Sequence, residues 1–89
     1  MASLNGILVY SESVSWVEID NEIFAFDELS ESIYLFRELE REIWKLINQK
    51  NAILFVVNFM EKQFNTEANM TLNIIAKFKE KRLVKEVEA

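Results

Sequence analysis

The chain has 89 residues, 51% of them apolar, which allows a single domain with a small core. It contains neither cysteine nor histidine, which excludes disulfides and thiolate ligands and removes the commonest general base and metal ligand. A formal net charge of −5 argues against a general nucleic-acid binder.

Residues 1–14 are weakly patterned, and "ILVY" at 7–10 reads as an extended arm or a short extra strand. No basic segment leading into a long apolar run opens the chain, so no signal peptide is read. Trp16, Val17 and Ile19 form one strand and Ile23, Phe24 and Phe26 the next. Asp20 and Asn21 between them tolerate positive φ and suit a tight hairpin. After the polar break "ELSES", Ile33, Tyr34, Leu35 and Phe36 make a third strand, giving two hairpins or a three-stranded antiparallel meander.

From Arg37 the period turns helical with no glycine or proline between. Leu39, Ile43, Leu46 and Ile47 share one face of a first helix, which ends over 48–51. "AILFVVNFMEKQF" is either a buried strand in its first half or a helix throughout. Its length favours the helix, with Ile53, Val56, Val57, Met60 and Phe64 as the stripe and Asn51 as cap. The run "AILFVV" is far shorter than the roughly 20 residues that span a bilayer, so a soluble, cytoplasmic domain is expected.

A third helix follows, capped by Asn65 or Thr66, with Ala68, Leu72 and Ile75 inward; Leu83 and Val84 pack back on it. "KFKEKRLVK" at 77–85 holds Lys77, Lys79, Lys81, Arg82 and Lys85, five of the ten basic residues. This is either a solvated helix end, where cations are favoured, or an anion site. The order predicts an α+β fold, winged helix-turn-helix-like, with a three-stranded antiparallel sheet followed by three helices. So short a sheet leaves edges. An unblocked edge beside a helix is a slot for an extended peptide from another chain.

Three segments carry a family resemblance. "YLFRELEREIW" places Tyr34, Phe36, Ile43 and Trp44 where an aromatic turn and an apolar-Trp pair would fall. "AILFVVNFMEKQF" supplies a second helix with apolar Ile53, Val56, Val57, Met60 and Phe64, and "FKEKRLV" a closing element with Phe78, Leu83 and Val84. In this register residues 15–85 resemble the PqqD-like family, the leader-peptide recognition elements of ribosomally made, post-translationally modified peptides. Arg37 stands where the family usually has Asn, Arg82 where it has Gly, and Leu54, Phe55 and Phe59 where it is mostly polar.

The resemblance implies a non-catalytic domain without cofactor or metal. Such domains bind a precursor's leader segment as an added strand against the third strand, in a groove closed by the third helix. They present the precursor to a modifying enzyme, such as a radical-SAM enzyme or a leader peptidase, in PQQ- or lasso-type pathways. Residues 1–14 would be an arm or a short extra strand, 15–85 the recognition domain and 86–89 a tail. The implied peptide-binding residues are Ile33, Tyr34, Leu35, Phe36 and Arg37 on the strand, with Met70, Asn73, Ile74, Lys77, Phe78 and Lys81 on the helix.

On the third helix, Met70, Ile74 and Phe78 lie four apart, as a groove wall or as part of a wide core face. Lys77 and Lys81 flank them and suit an acidic leader. Leu54, Phe55 and Phe59 are apolar where an amphipathic helix would be wet; they fit a homodimer, docking on the enzyme, or cover by the arm. The carboxylates at 12–31 are scattered, no calcium loop is present, and Gly6 is the only glycine, so no phosphate loop is read. Two other functions stay open. A winged-helix DNA-binding regulator would place Asn73, Lys77 and Lys81 in the major groove, against the net charge and with Met70, Ile74 and Phe78 wet. A structural dimerisation or adaptor domain would use the Leu54 surface.

Overall fold

The computed structural model of the chain describes residues 6–88. The change of period at Arg37 divides it. Before it lie β1 (Ile7–Tyr10), β2 (Val14–Ile19), β3 (Glu22–Asp27) and β4 (Ser32–Phe36); after it come α1 (Glu38–Ile47), α2 (Ile53–Phe64), α3 (Ala68–Glu80) and β5 (Val84–Val87). The fold is α+β, and β2, β3 and β4 form the antiparallel meander in that order.

Two turns set the register of this sheet. Asp20 and Asn21 both take positive φ (51° and 65°), the requirement of a two-residue hairpin whose twist matches its strands. The β3–β4 turn is built around Asp27. Its Oδ1 accepts the Ser13 hydroxyl (2.7 Å) and the Leu29 N–H (3.2 Å), and its Oδ2 accepts the Ser30 hydroxyl (2.9 Å). In the resulting register Trp16, Ala25 and Tyr34 lie side by side on the inner face, and Val17, Phe24 and Leu35 on the outer. Ala25 is small where Trp16 is large, which leaves room for the indole.

The core forms between the inner face and the helices. Trp44 of α1 is fully buried, with its ring 4.6 Å from Tyr10, 4.9 Å from Phe36, 5.2 Å from Phe78 and 6.4 Å from Trp16. The Tyr10 hydroxyl donates to the Trp44 carbonyl oxygen at 2.6 Å. Ile23, Ile43, Ile47, Ile53, Val56 and Met60 complete the interior. At the rim, Glu18 accepts Arg41 (3.0 Å) and Lys45 (3.1 Å). These cations, Lys45 first, hold the Glu18 carboxyl below its ordinary range.

The junction that opens α1 is one residue long. Arg37 is extended and bonds Glu22 through its side chain, and Glu38 then enters the helix at φ 52°. Left-handed backbone costs a non-glycine residue about 1–2 kcal/mol, so the short junction carries strain at a definite place.

Four sequence expectations need correction. Asn51 does not cap α2: Ala52 holds that position, and the Asn51 amide donates to the Leu46 carbonyl oxygen behind it (3.1 Å). The start of α2 is tied to β1 instead, with the Ile53 N–H on the Gly6 carbonyl oxygen (2.9 Å). Neither Asn65 nor Thr66 caps α3, whose N-cap is Glu67; Asn65 closes α2 in the left-handed conformation. Phe64 is exposed rather than core, because it stands on the last turn of α2 as the chain turns away. Finally, of the two readings of "ILVY" the short extra strand is the one present, and the expected tail joins it. β1 pairs antiparallel with β5, Ile7 opposite Val87 and Tyr10 opposite Val84, which buries Leu8. The expected boundary after 85 falls inside β5; residues 1–5 of the arm and residue 89 lie outside the described residues.

Replacing Glu38 by glycine relieves the left-handed strain, and Glu38→Gly is expected to raise stability by about 1 kcal/mol, read as a higher urea midpoint. A lower midpoint would place the strain elsewhere. Burial pushes the Tyr10 hydroxyl well above its ordinary value of 10.0. The folded chain then keeps a proton that the unfolded chain releases, so this contribution is intact below pH 10 and is lost as pH rises beyond it. Tyr10→Phe should flatten the alkaline decline measured by urea titration between about pH 9 and 11.

Candidate functional site

The outer edge of β4 has no strand beside it among the described residues. Natural edge strands are usually blunted by charge, proline or a bulge. β4, Ser32-Ile-Tyr-Leu-Phe36, carries neither charge nor proline and stays regular against β3 throughout. Its side chains alternate: Ile33 and Leu35 are 70% and 40% exposed, Tyr34 is half-buried and Phe36 is buried.

α3 stands across from this edge. The Phe36 and Phe78 rings meet at 4.8 Å. Tyr34, two residues earlier on β4, lines a cleft with Lys81, three residues past Phe78 at the C-cap of α3. The two elements therefore run in opposite directions, and helical spacing puts Met70, Ile74, Phe78 and Lys81 along one stripe. Its middle is closed, with Phe78 1% and Ile74 9% exposed, while Met70 is 50% exposed and Lys81 is open.

This arrangement sorts the expected peptide-binding residues. Ile33, Leu35 and Arg37 are exposed along β4 and its exit, and Tyr34 is half open. Met70, Asn73 and Lys77 are exposed on α3, and Lys81 is exposed at its C-cap. Phe36, Phe78 and Ile74 need correction as contact side chains. They pack into the core around Trp44, so they support a floor beneath the slot and do not line its walls. The expectation that Ile74 and Phe78 would be wet in a DNA-binding arrangement fails for the same reason.

The cleft at the start of β4 has a volume of about 800 Å³. Its lining brings Asp27 and Ser13 together with Tyr34, Lys81, Arg82 and Lys85. The last two are absent from the expected peptide-binding residues, although both belong to the run 77–85 that the sequence leaves open as an anion site. The signal was an arginine where a left-handed turn calls for glycine: Arg82 takes φ 60°. The bonds to Asp27, that of the Ser13 hydroxyl foremost, hold its carboxyl below the ordinary 3.8.

A second apolar surface lies on α2. Leu54 and Phe55 are exposed and Phe59 is half-buried, with Phe55 and Phe64 rings 6.0 and 6.5 Å from it. β1 is occupied with β5 and leaves Leu54 and Phe55 uncovered. Among the described residues no three His, Cys, Asp or Glu side chains gather to hold a metal ion, and no helix is long and apolar enough to cross a membrane.

The fold has a solved counterpart. It superposes on TbiB1, solved in complex with the TbiA(beta) leader peptide, with a TM-score of 0.78 over 86% of this chain and 94% of that one, at 14% sequence identity. At that identity the likeness is one of fold. No family model matches the sequence, and no curated protein does.

Because a depressed carboxylate contributes stability that is present above its unfolded value and lost as pH falls below it, acidification below about pH 4 should weaken the β3–β4 turn. Asp27→Asn should show a shallower acid decline than the parent in urea titrations. Equal slopes would mean that the charge on Asp27 does not hold the turn.

Proposed function

We propose that this chain is a non-catalytic peptide-binding protein. It captures the leader segment of a ribosomally made precursor as a strand added to β4 and presents it to a modifying enzyme. The free, uncharged edge of β4 facing α3 carries this reading. Main-chain groups on the edge supply general affinity, and the exposed side chains at Ile33, Leu35 and Met70 supply selection. Two further supports are the PqqD-like register of the sequence and the fold shared with TbiB1, whose structure holds a leader peptide. By the same resemblance the pathway is of the PQQ or lasso type and the enzyme a radical-SAM enzyme or a leader peptidase; the setting proposed is cytoplasmic.

The short junction at Arg37 contributes to affinity. β4 is paired to β3 on one side and runs into α1 after one residue, so little of it remains to be ordered on binding. Regulation of DNA finds less support, because Glu80 joins Asn73, Lys77 and Lys81 on the exposed side of α3 in a chain of net charge −5.

The test uses a displayed library of random 20-residue peptides selected on the full chain. A selected peptide should protect β4 amides from hydrogen exchange. Met70→Glu, at an exposed position, should weaken its binding by ~1–3 kcal/mol and leave the circular dichroism unchanged. Binding with no added protection along β4 would end the strand-addition reading.

We also infer that Leu54 and Phe55 dock the modifying enzyme or a second copy of the chain. Phe55→Glu should change stability by no more than about 0.5 kcal/mol while weakening association in sedimentation velocity, run on the chain alone and with a candidate modifying enzyme. Unaltered sedimentation in both settings would remove the docking role.

A further inference from the structure

We propose that the cleft at the start of β4 is a carboxylate-binding site that takes acidic residues of the bound peptide and thereby sets its register on the edge. The proposal deepens the strand-addition reading and rests on it.

Charge is the first ground. Arg37, Arg41, Lys45 and Lys79 each have an ion-pair partner; of the six other basic residues, none of which has one among the described residues, Lys81, Arg82 and Lys85 are the three that line one cleft. These three come from the end of α3, the following turn and β5, and converge on one cleft. Two carboxylates share it. Asp27 is already taken by two hydroxyls and an N–H, which leaves the exposed Glu12 as the only other anion on the wall. The cleft therefore gathers three unpaired cations on an acidic chain, a place where an incoming carboxylate meets attraction.

The second ground is the backbone at Arg82. A glycine would take its φ of 60° without strain, yet the position holds the longest cationic side chain. The turn is fixed from outside: the Ser11 hydroxyl donates to the Arg82 carbonyl oxygen (2.7 Å), and the Ser11 N–H donates to the Leu83 carbonyl oxygen (2.9 Å). The guanidinium thus rises from an anchored base, and its planar fork suits a carboxylate.

Continuity is the third. Tyr34 belongs both to β4 and to the cleft wall. A peptide paired along β4 runs straight into the cleft at about 3.3 Å per residue. An Asp or Glu one or two residues past the paired segment would meet the three cations. A strand slipped by one residue would also turn its side chains to the opposite face, so a charge lock at one end has a clear use on an edge whose own side chains are uncharged.

The probe is the peptide selected above, together with a counterpart in which its Asp and Glu are changed to Asn and Gln. Both are titrated calorimetrically against the parent chain, Arg82→Gly, and the double variant Lys81→Ala with Lys85→Ala. The counterpart should bind the parent about tenfold more weakly, the scale of a hydrogen bond to a charged group. That difference should shrink to about twofold or less in both variants, consistent with an exposed contact of small worth. Arg82→Gly should also melt at a temperature equal to or above the parent's, which separates a ligand-directed arginine from one that holds the turn. If a peptide protects β4 but the acid-to-amide change has the same effect in all three proteins, or the selected peptides carry no acid, the carboxylate site is refuted and strand addition stands. If no peptide protects β4, strand addition itself fails and this site goes with it.

Discussion

Trp44 is the point on which the rest of the structure turns. Its ring touches aromatic side chains from β1, β2, β4 and α3, and its carbonyl oxygen receives the Tyr10 hydroxyl. Aromatic pairs at these separations add about 0.5–1.5 kcal/mol each beyond the area they bury. In a chain this small, where few other layers exist to share the load, one indole orients the sheet against the helices. It also fixes the distance between β4 and α3, because Phe36 and Phe78 both lean on it as well as on each other.

That arrangement explains why buried residues matter for a surface slot. Phe36, Ile74 and Phe78 do not offer their side chains to a visitor, yet they hold apart the two walls that do. β4 is paired on one side, packed underneath, and joined to α1 through a single residue. Among the described residues only its outer edge is left unengaged. The strain at Glu38 belongs to the same economy of length: a looser junction would relax the backbone and also free the strand.

Much of this was legible in the sequence, for physical reasons that differ by element. The meander followed from Trp16 to Phe36 because period-two alternation and a positive-φ pair at Asp20-Asn21 are local signals. The helices followed from their apolar spacing. What the sequence hid was non-local. Val84–Val87 becomes a strand only because Ile7–Tyr10 lies next to it, some 75 residues away along a folded path. Asn51 looked like a cap, but the Gly6 carbonyl oxygen had already met the first N–H of α2. Met70, Ile74 and Phe78 share one spacing, and only the tilt of α3 against Phe36 decides that the first is open and the others closed. Arg82 was visible as a departure from glycine, although its distant neighbours in the cleft come from two turns and from β4.

The β1–β5 ribbon has a topological consequence. Ile7 and Val87 are direct partners in an antiparallel pair, which puts the two ends of the described chain about 5 Å apart. A domain tethered at either end would leave the fold from the same spot, so fusion order need not alter the orientation of the β4 slot. For the same reason a few small residues would suffice to join the ends, and the chain could be reopened at Asp20-Asn21. Such a circular permutant would keep every strand pairing while moving its free ends to the opposite end of the ribbon's neighbour, β2.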